Sequence, residues 1–257
     1  MKPITFIDDR CPVRTVYSDK ADWEKNEGWR QSDIRKSLLQ TFLGVPLERV
    51  FYAKQVHSGN VLAVSNGSGG DLDITEEKAS IGPVDGFDAL VTDVPGILLC
   101  IWTADCLPLF LCDPVRKVAA IAHCGWRGIC NGAARNTVRV MTERFGADPE
   151  RITAAFGPAI CGKCYEVGGE LMESFSGCFS RDEISQLFSP KKNGKYFLDI
   201  RKAVTIELVR MGIRAEEIHD TGICTFESKN YVSYRREGRV ETVREILSGI
   251  VLTADME

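Results

Sequence analysis

Two stretches carry the residues best suited to chemistry: Thr103-Ala104-Asp105-Cys106-Leu107-Pro108 and Ala122-His123-Cys124-Gly125-Trp126-Arg127-Gly128. Each follows a strongly apolar run, Ile97–Trp102 in the first case and Val118–Ala122 in the second. Short apolar runs bounded by Pro, Gly and Asp read as buried strands. Reactive groups at the ends of such strands are held rigidly and still reach a cleft. The spacing between Cys106 and His123 leaves room for a strand, a turn and a return strand.

The chain has three histidines, His57, His123 and His219. His57 stands in Lys54-Gln55-Val56-His57-Ser58-Gly59, just before a turn glycine. With Cys106, two histidines make a Cys/His/His set, the three-ligand plan that leaves zinc a fourth position for water or substrate. Such an ion lowers its water's pKa to about 7 and supplies a nucleophile at neutral pH. Two other readings stand beside this one. Cys106 could be a nucleophile with His123 as its base, as in cysteine hydrolases, or both could be satisfied core residues. Ligands this far apart have no signature of their own, so spacing alone favours the core reading.

Asp105 points away from Cys106 if the backbone is extended; there it could act as a general acid/base or as an ordinary turn residue. Arg127 lies in a Gly-Trp-Arg-Gly turn at the expected start of a helix, where a phosphate or carboxylate would meet guanidinium and backbone donors together. Trp126 could stack on a planar base or pack in the core. Arg235-Arg236 after Tyr234 offer a second anion contact or a surface pair.

The chain's 257 residues can bury a substantial core, and 44% hydrophobic with 26% charged residues is ordinary for a soluble globular protein. A net charge of −4 without a long basic run leaves no electrostatic footprint for nucleic acid. No segment approaches the roughly 18 consecutive apolar residues of a membrane helix, and Met1–Arg10 lacks the apolar core of a signal peptide. The expectation is a cytoplasmic protein with neither nucleic acid nor membrane as partner. Its ten cysteines are then expected as free thiols, Cys100, Cys112 and Cys130 among them as small buried hydrophobes. Cys161-Gly162-Lys163-Cys164 has the C-x-x-C spacing, which by itself supplies half a zinc site; a structural role is expected for it.

Periodicity indicates the elements that must position these residues. A strand is expected at Ile4–Ile7, a helix near Ser32–Phe42 with Gly44 past its end, and a strand at Arg49–Ala53 that delivers His57. Ser65–Gly70 and the acidic Asp71–Ser80 read as a loop. Ile129–Phe145 carries Ala133, Ala134, Val138, Met141 and Phe145 at a helical period closed by Gly146, and its free first-turn N–H groups would lie beside Gly125–Gly128. Ile152–Phe156 reads as a strand and Gly157–Cys161 as a tight turn. Glu170–Phe179 and Arg201–Met211 read as helices, and Glu217–Cys224 as a strand. Strands and helices are mixed, with no internal repeat and no long linker, which predicts one α/β or α+β domain.

Seven segments taken in order resemble a single family: Lys54-Gln55-Val56-His57, Asp88-Ala89-Leu90-Val91-Thr92, the two stretches around Cys106 and His123, Gly157-Pro158-Ala159-Ile160, Cys164-Tyr165-Glu166-Val167 and Ser233-Tyr234-Arg235-Arg236. The family is variously called multicopper polyphenol oxidase (laccase-like), peptidoglycan editing factor or purine nucleoside phosphorylase. The resemblance runs from about residue 48 to residue 245. It implies a single compact α/β (α+β) domain over 1–257, a mixed-sheet sandwich with flanking helices. The fold is shared with a bacterial deamidating toxin that uses a Cys–His pair.

The resemblance also implies one catalytic zinc on His57, Cys106 and His123. Asp105, Cys106, His123 and Arg127 would be catalytic, with Asp105 as proton shuttle, and Gln55, Trp126 and Arg127 would bind substrate. The implied chemistry is phosphorolysis of adenosine, inosine, guanosine and S-methyl-5′-thioadenosine, with deamination of adenosine, so the partners are purine nucleosides and phosphate. The alternatives are a Cys106–His123 amide or peptide hydrolase editing peptidoglycan precursors and a zinc-stabilised binding module. Multicopper oxidation needs a mononuclear centre and a histidine-rich trinuclear cluster, which three histidines cannot both furnish; copper is expected only as an adventitious occupant. Residues 8–35 lack the family's Ser-Thr-Arg, Gly-Gly-Val-Ser and Asn-Leu-Gly segments, so no substrate contact is carried over to them.

Overall fold

The computed structural model describes residues 1–24, 49–66, 71–73, 82–238 and 245–253. Three strands, β7 (Ile97–Thr103), β8 (Leu107–Asp113) and β9 (Val118–Cys124), are buried at every position. Unbroken apolar runs of this kind belong to strands covered on both faces. They form the middle of two mixed sheets. The first has the order β1 (Val13–Tyr17), β15 (Ile246–Leu252), β7, β2 (Arg49–Lys54), β5 (Gly82–Asp85). Its first two pairings are antiparallel and its last two parallel.

The second sheet has the order β14 (Ile218–Asp220), β10 (Thr153–Phe156), β8, β9, β6 (Ala89–Thr92), β3 (Val61–Ser65), β4 (Leu72–Asp73). The pairings of β8 with β9 and of β9 with β6 are antiparallel. A small antiparallel sheet joins β11 (Glu166–Val167), β13 (Tyr196–Leu198) and β12 (Phe188–Pro190).

Alternate side chains of a strand point to opposite faces, and here they build two different cores. Leu99, Ile101 and Ile250 from the first sheet meet Phe110, Cys112 and Ile121 from the second in a layer between the sheets. Leu107, Leu109, Leu111, Ala120 and Ala122 face the other way, under the helices Ala133–Phe145 and Ile200–Arg210. Fully burying one such aliphatic side chain contributes about 1.5–3 kcal/mol, so the central strands are fixed and their ends are rigid platforms. The mixed-sheet α/β architecture with flanking helices is the one expected.

Several elements differ from the sequence reading. Ile4–Ile7 is not a strand: Thr5–Asp8 is a helical turn. Ile4 and Ile7 are both buried, and residues three apart share a face in a helix but not in a strand. The helix expected over Ile129–Phe145 is two helices, Trp126–Cys130 and Ala133–Phe145. Gly132 breaks it with a φ of 81°, a left-handed conformation that glycine adopts without steric cost. The long helix therefore starts away from Gly125–Gly128, and the N–H groups beside those glycines belong to a short helix of its own. The strand expected over Glu217–Cys224 is confined to β14, and Asp71–Ser80 includes the short β4. The helix expected near Ser32–Phe42 lies outside the described residues. No helix among the described residues is long and apolar enough to cross a membrane.

The inter-sheet core makes one test of this architecture. Phe110, fully buried, should cost about 3–5 kcal/mol when replaced by alanine. Val115→Ala, at an exposed position, should stay within about 0.5 kcal/mol. Urea unfolding reads both, and a Phe110→Ala variant as stable as Val115→Ala would refute the layer between the sheets.

Candidate functional site

The site is built outward from Asp88, the residue just before β6. The β6–β9 register pairs Ala89 with Ala122, so Asp88 falls beside His123, whose backbone N–H donates to the Asp88 carbonyl at 2.8 Å. The Asp88 carboxylate is fully buried and meets a ring of donors. The backbone N–H groups of Val56, His57 and Ser58 donate at 3.2, 3.0 and 2.6 Å, and the Ser58 hydroxyl at 2.8 Å. His123 Nδ1 lies 2.9 Å from Oδ1.

Burial alone would push the Asp88 carboxyl up, but His123 and Ser58 outweigh it and bring it down to about 2. An ionised carboxylate only accepts, so Nδ1 of His123 carries the proton and Nε2 remains for the cleft.

The β8–β9 register pairs Leu107 with Cys124 and Pro108 with His123; one step on, Cys106 comes against Gly125. A Cβ at Gly125 would stand 2.7 Å from Cys106 Sγ and 3.4 Å from His57 Cδ2. Only glycine leaves room for sulfur and imidazole to approach here. His57 sits at φ 59° in the turn after β2. Asn131 Nδ2 donates to the His57 carbonyl at 2.9 Å, and Asn136 Nδ2 to that of Gly59 at 2.8 Å.

The result is that donor atoms of His57, Cys106 and His123 all lie within 4.8 Å of one another, with the two imidazoles edge to face at 4.9 Å between ring centres. Two imidazoles and a thiol cradled against a glycine fit a transition-metal ion, and the cluster could hold one. His219 lies on β14 opposite Ala155, outside this group.

The charges agree with the geometry. Packing around its sulfur works against the Cys106 thiolate, but the His123 and His57 imidazoles prevail and lower the thiol to about 6. For His123, burial disfavours the charged ring, while the Cys106 thiolate and Asp88 raise it to about 10. The metal-free site is thus a thiolate–imidazolium pair steadied by a buried carboxylate.

The other expected site residues are placed as follows. Asp105 adopts φ 84°, and its buried carboxylate accepts from the Thr225 hydroxyl at 2.6 Å, the Ser233 hydroxyl at 3.1 Å and the Arg235 backbone N–H at 2.6 Å. Arg127 is exposed and stacks its guanidinium 4.3 Å above the Trp126 ring. The Gln55 amide exchanges two hydrogen bonds with the backbone of Trp102, at 2.6 and 2.8 Å, continuing the β2–β7 pairing beyond its last strand residue.

Sequence reasoning did not single out Asp88, although it begins one of the quoted motifs, nor Tyr165. Burial and the Cys106 thiolate push the Tyr165 phenol up to about 12, and the Arg235 guanidinium lies 5.0 Å from its ring centre. Both residues depend on proximity between segments distant in sequence, which no local pattern announces.

Comparison with known proteins adds to this geometry. The family described as multi-copper polyphenol oxidoreductase laccase matches residues 30–251. An adenosine deaminase of an unknown prokaryotic organism is 36% identical over 229 residues, 88% of this chain and 84% of the relative. A purine nucleoside phosphorylase of Streptomyces coelicolor is 38% identical over 209 residues, 79% of this chain and 76% of the relative. The crystal structure of YlmD from Geobacillus stearothermophilus has a TM-score of 0.78 at 26% identity, covering 95% of this chain and 93% of that one.

Two outcomes check the site. In chelator-stripped protein the alkylation rate of Cys106 should rise with pH through a midpoint near 6, below that of an ordinary cysteine at about 8.5; His123→Ala should return it toward that ordinary value. Asp88→Asn should weaken metal binding about 10–100-fold in competition with a chelator, the usual effect of losing an outer-shell partner. An unshifted midpoint, or unchanged affinity, would refute the respective assignment.

Proposed function

The chain belongs to the multi-copper polyphenol oxidoreductase laccase family, and from that premise we propose that it is a zinc-dependent enzyme of purine nucleosides. The proposed reactions are phosphorolysis of adenosine, inosine, guanosine and S-methyl-5′-thioadenosine, and deamination of adenosine. The observation that carries this reading is the convergence of His57, Cys106 and His123 in a chain whose relatives include an adenosine deaminase and a purine nucleoside phosphorylase. These three residues would hold the ion. Bound zinc would supply Lewis acidity and a water whose pKa falls to about 7. The copper chemistry in the family's description needs more imidazoles than the chain's three histidines provide.

The chain's own residues have separable roles. Asp88 fixes the His123 tautomer and the His57 turn together. Arg127, held over Trp126, presents a planar fork to phosphate. In phosphorolysis a phosphate oxygen bonds to the ribose carbon while the bond from that carbon to the purine nitrogen breaks, and the base takes up a proton. In deamination water adds at the carbon bearing the amine and ammonia departs. Three donors already occupy the Asp105 carboxylate, which favours a positioning role over proton shuttling: it holds the turn that presents Cys106. Gln55 likewise supports the wall through Trp102.

A second reading has its own observation. The lowered Cys106 thiol, the raised His123 and the buried Asp88 form the nucleophile–base–orienter order of a cysteine hydrolase. That enzyme would be indifferent to chelators and act on amides.

The discriminating assay incubates inosine with and without phosphate. Phosphate-dependent release of hypoxanthine that stops with chelator and returns with zinc supports the first reading. Chelator-resistant amide hydrolysis abolished by thiol alkylation supports the second. Cys106→Ser should lose bound metal and at least about 100-fold in kcat/KM, beyond what outer partners contribute; full activity with stoichiometric metal would refute the site. Asp105→Asn should lower thermal stability and leave the shape of the pH profile intact, whereas a proton shuttle would change that shape.

A further inference from the structure

The C-x-x-C pair, half the donor set of a metal site, meets two further donor residues from elsewhere in the chain. Donor atoms of Cys161, Cys164, Cys224 and Glu227 lie within 4.8 Å of one another, in a group that shares no residue with the His57 cluster. The pattern is doubled: Cys161-x-x-Cys164 faces Cys224-x-x-Glu227. Each half is a tight turn. Cys164 and Tyr165 donate backbone N–H groups to the Cys161 carbonyl at 3.0 and 3.1 Å, and Ser228 donates to the Cys224 carbonyl at 2.9 Å.

The two turns are locked side by side by a parallel bridge between Ala159 and Cys224. Ala159 N–H donates to the Ile223 carbonyl at 3.2 Å, and Thr225 N–H to the Ala159 carbonyl at 3.1 Å. Arg201 donates to both carbonyls, of Ala159 at 3.0 Å and of Ile223 at 2.6 Å. Gly162 allows the first turn its close approach to Asp199, whose side chain would stand 2.8 Å from a Cβ there.

We propose that Cys161, Cys164, Cys224 and Glu227 form a second metal site, a tetrahedral three-thiolate, one-carboxylate centre for structural zinc. Three soft donors select zinc over magnesium or calcium, and two x-x turns facing one another are the spacing of closed structural sites. The Cys161 backbone N–H already points at Cys224 Sγ, at 3.4 Å, as donors do around ligating sulfur. Binding replaces each S–H bond with a sulfur–zinc bond, and the three protons go to solvent; no electron changes hands.

The position of the site gives it a purpose. Thr225, next to Cys224, holds the Asp105 carboxylate, and Ile160, next to Cys161, donates its N–H to the Asp105 carbonyl at 3.0 Å. The ion would clip together the two segments that hold Asp105 from behind, bracing the turn that carries Cys106.

Metal analysis of the full chain, purified under reducing conditions without chelator, tests this independently of any activity. The wild type should carry one zinc for each cluster. Cys106→Ser should lose one, and Cys161→Ser/Cys164→Ser should lose the other. With cobalt substituted, Cys106→Ser should keep the intense thiolate-to-cobalt charge-transfer band of the three-sulfur site. Glu227→Ala alters an exposed side chain and leaves every thiol in place, so it reads the site even if the double serine variant fails to fold. It should bind the second zinc at least about tenfold more weakly, since even outer-shell partners carry 10–100-fold. Wild-type protein that holds no metal beyond what Cys106→Ser removes, a disulfide between any two of the three cysteines in freshly purified protein, or unchanged zinc affinity in Glu227→Ala would overturn the proposal. A wild type that loses a metal only through Glu227→Ala and the double serine variant would instead keep this site and defeat the His57 centre.

Discussion

A carboxylate taken out of water without partners is among the most costly groups a fold can bury, and this fold buries Asp88 completely. It is tolerated because three backbone N–H groups, a hydroxyl and an imidazole converge on it. The consequence is structural as well as electrostatic. The turn after β2, the start of β6 and the end of β9 are tied to one pair of oxygen atoms. Those three segments come from both sheets of the sandwich, so a single ionised group sets the separation and orientation of His57 and His123. It also keeps Nδ1 of His123 occupied, so that Nε2 is the nitrogen turned toward the cleft.

The rest of the site follows from strand register. Pairing β8 with β9 puts Cys106 against Gly125, and the missing Cβ there is what brings sulfur close to both rings. Behind this wall a second carboxylate works in the same way at smaller scale: Asp105, in a left-handed backbone conformation, gathers Thr225, Ser233 and Arg235 from the far end of the chain. Each carboxylate is therefore an assembly point where segments distant in sequence are pinned next to a reactive residue. The exposed Arg127 guanidinium, stacked on the half-buried Trp126, is the part of the neighbourhood left to solvent.

Much of the scaffold was legible in the sequence because burial leaves a continuous apolar trace. The runs before Asp105 and before His123 read as strands and are strands, and Gly146 ends its helix in the left-handed conformation that such a position requires. Ile4 and Ile7 misled because a four-residue apolar segment has too little length to separate period two from a helical turn. The break at Gly132 was hidden inside a run whose apolar spacing continued across it. The convergence of His57, Cys106 and His123 had no local signal, since register between strands decides it; residue types made the set one candidate among three, and the resemblance to a family singled it out. The same holds for Cys161 and Cys164. Their spacing was visible, but Cys224 and Glu227 join them through a bridge between residues more than sixty positions apart, and Asp88 looked like one more aspartate beside a strand.

The central claim is that a buried carboxylate presents two imidazoles and a thiolate to one metal ion. A crystal structure of the protein as purified, with anomalous data at the zinc edge, tests it most directly. The account predicts an anomalous peak at coordination distance, about 2.0–2.3 Å, from His57, Cys106 and Nε2 of His123, with Nδ1 of His123 still on Asp88. A peak bound through Nδ1, or His57 and Cys106 turned away from a shared ion, would contradict it.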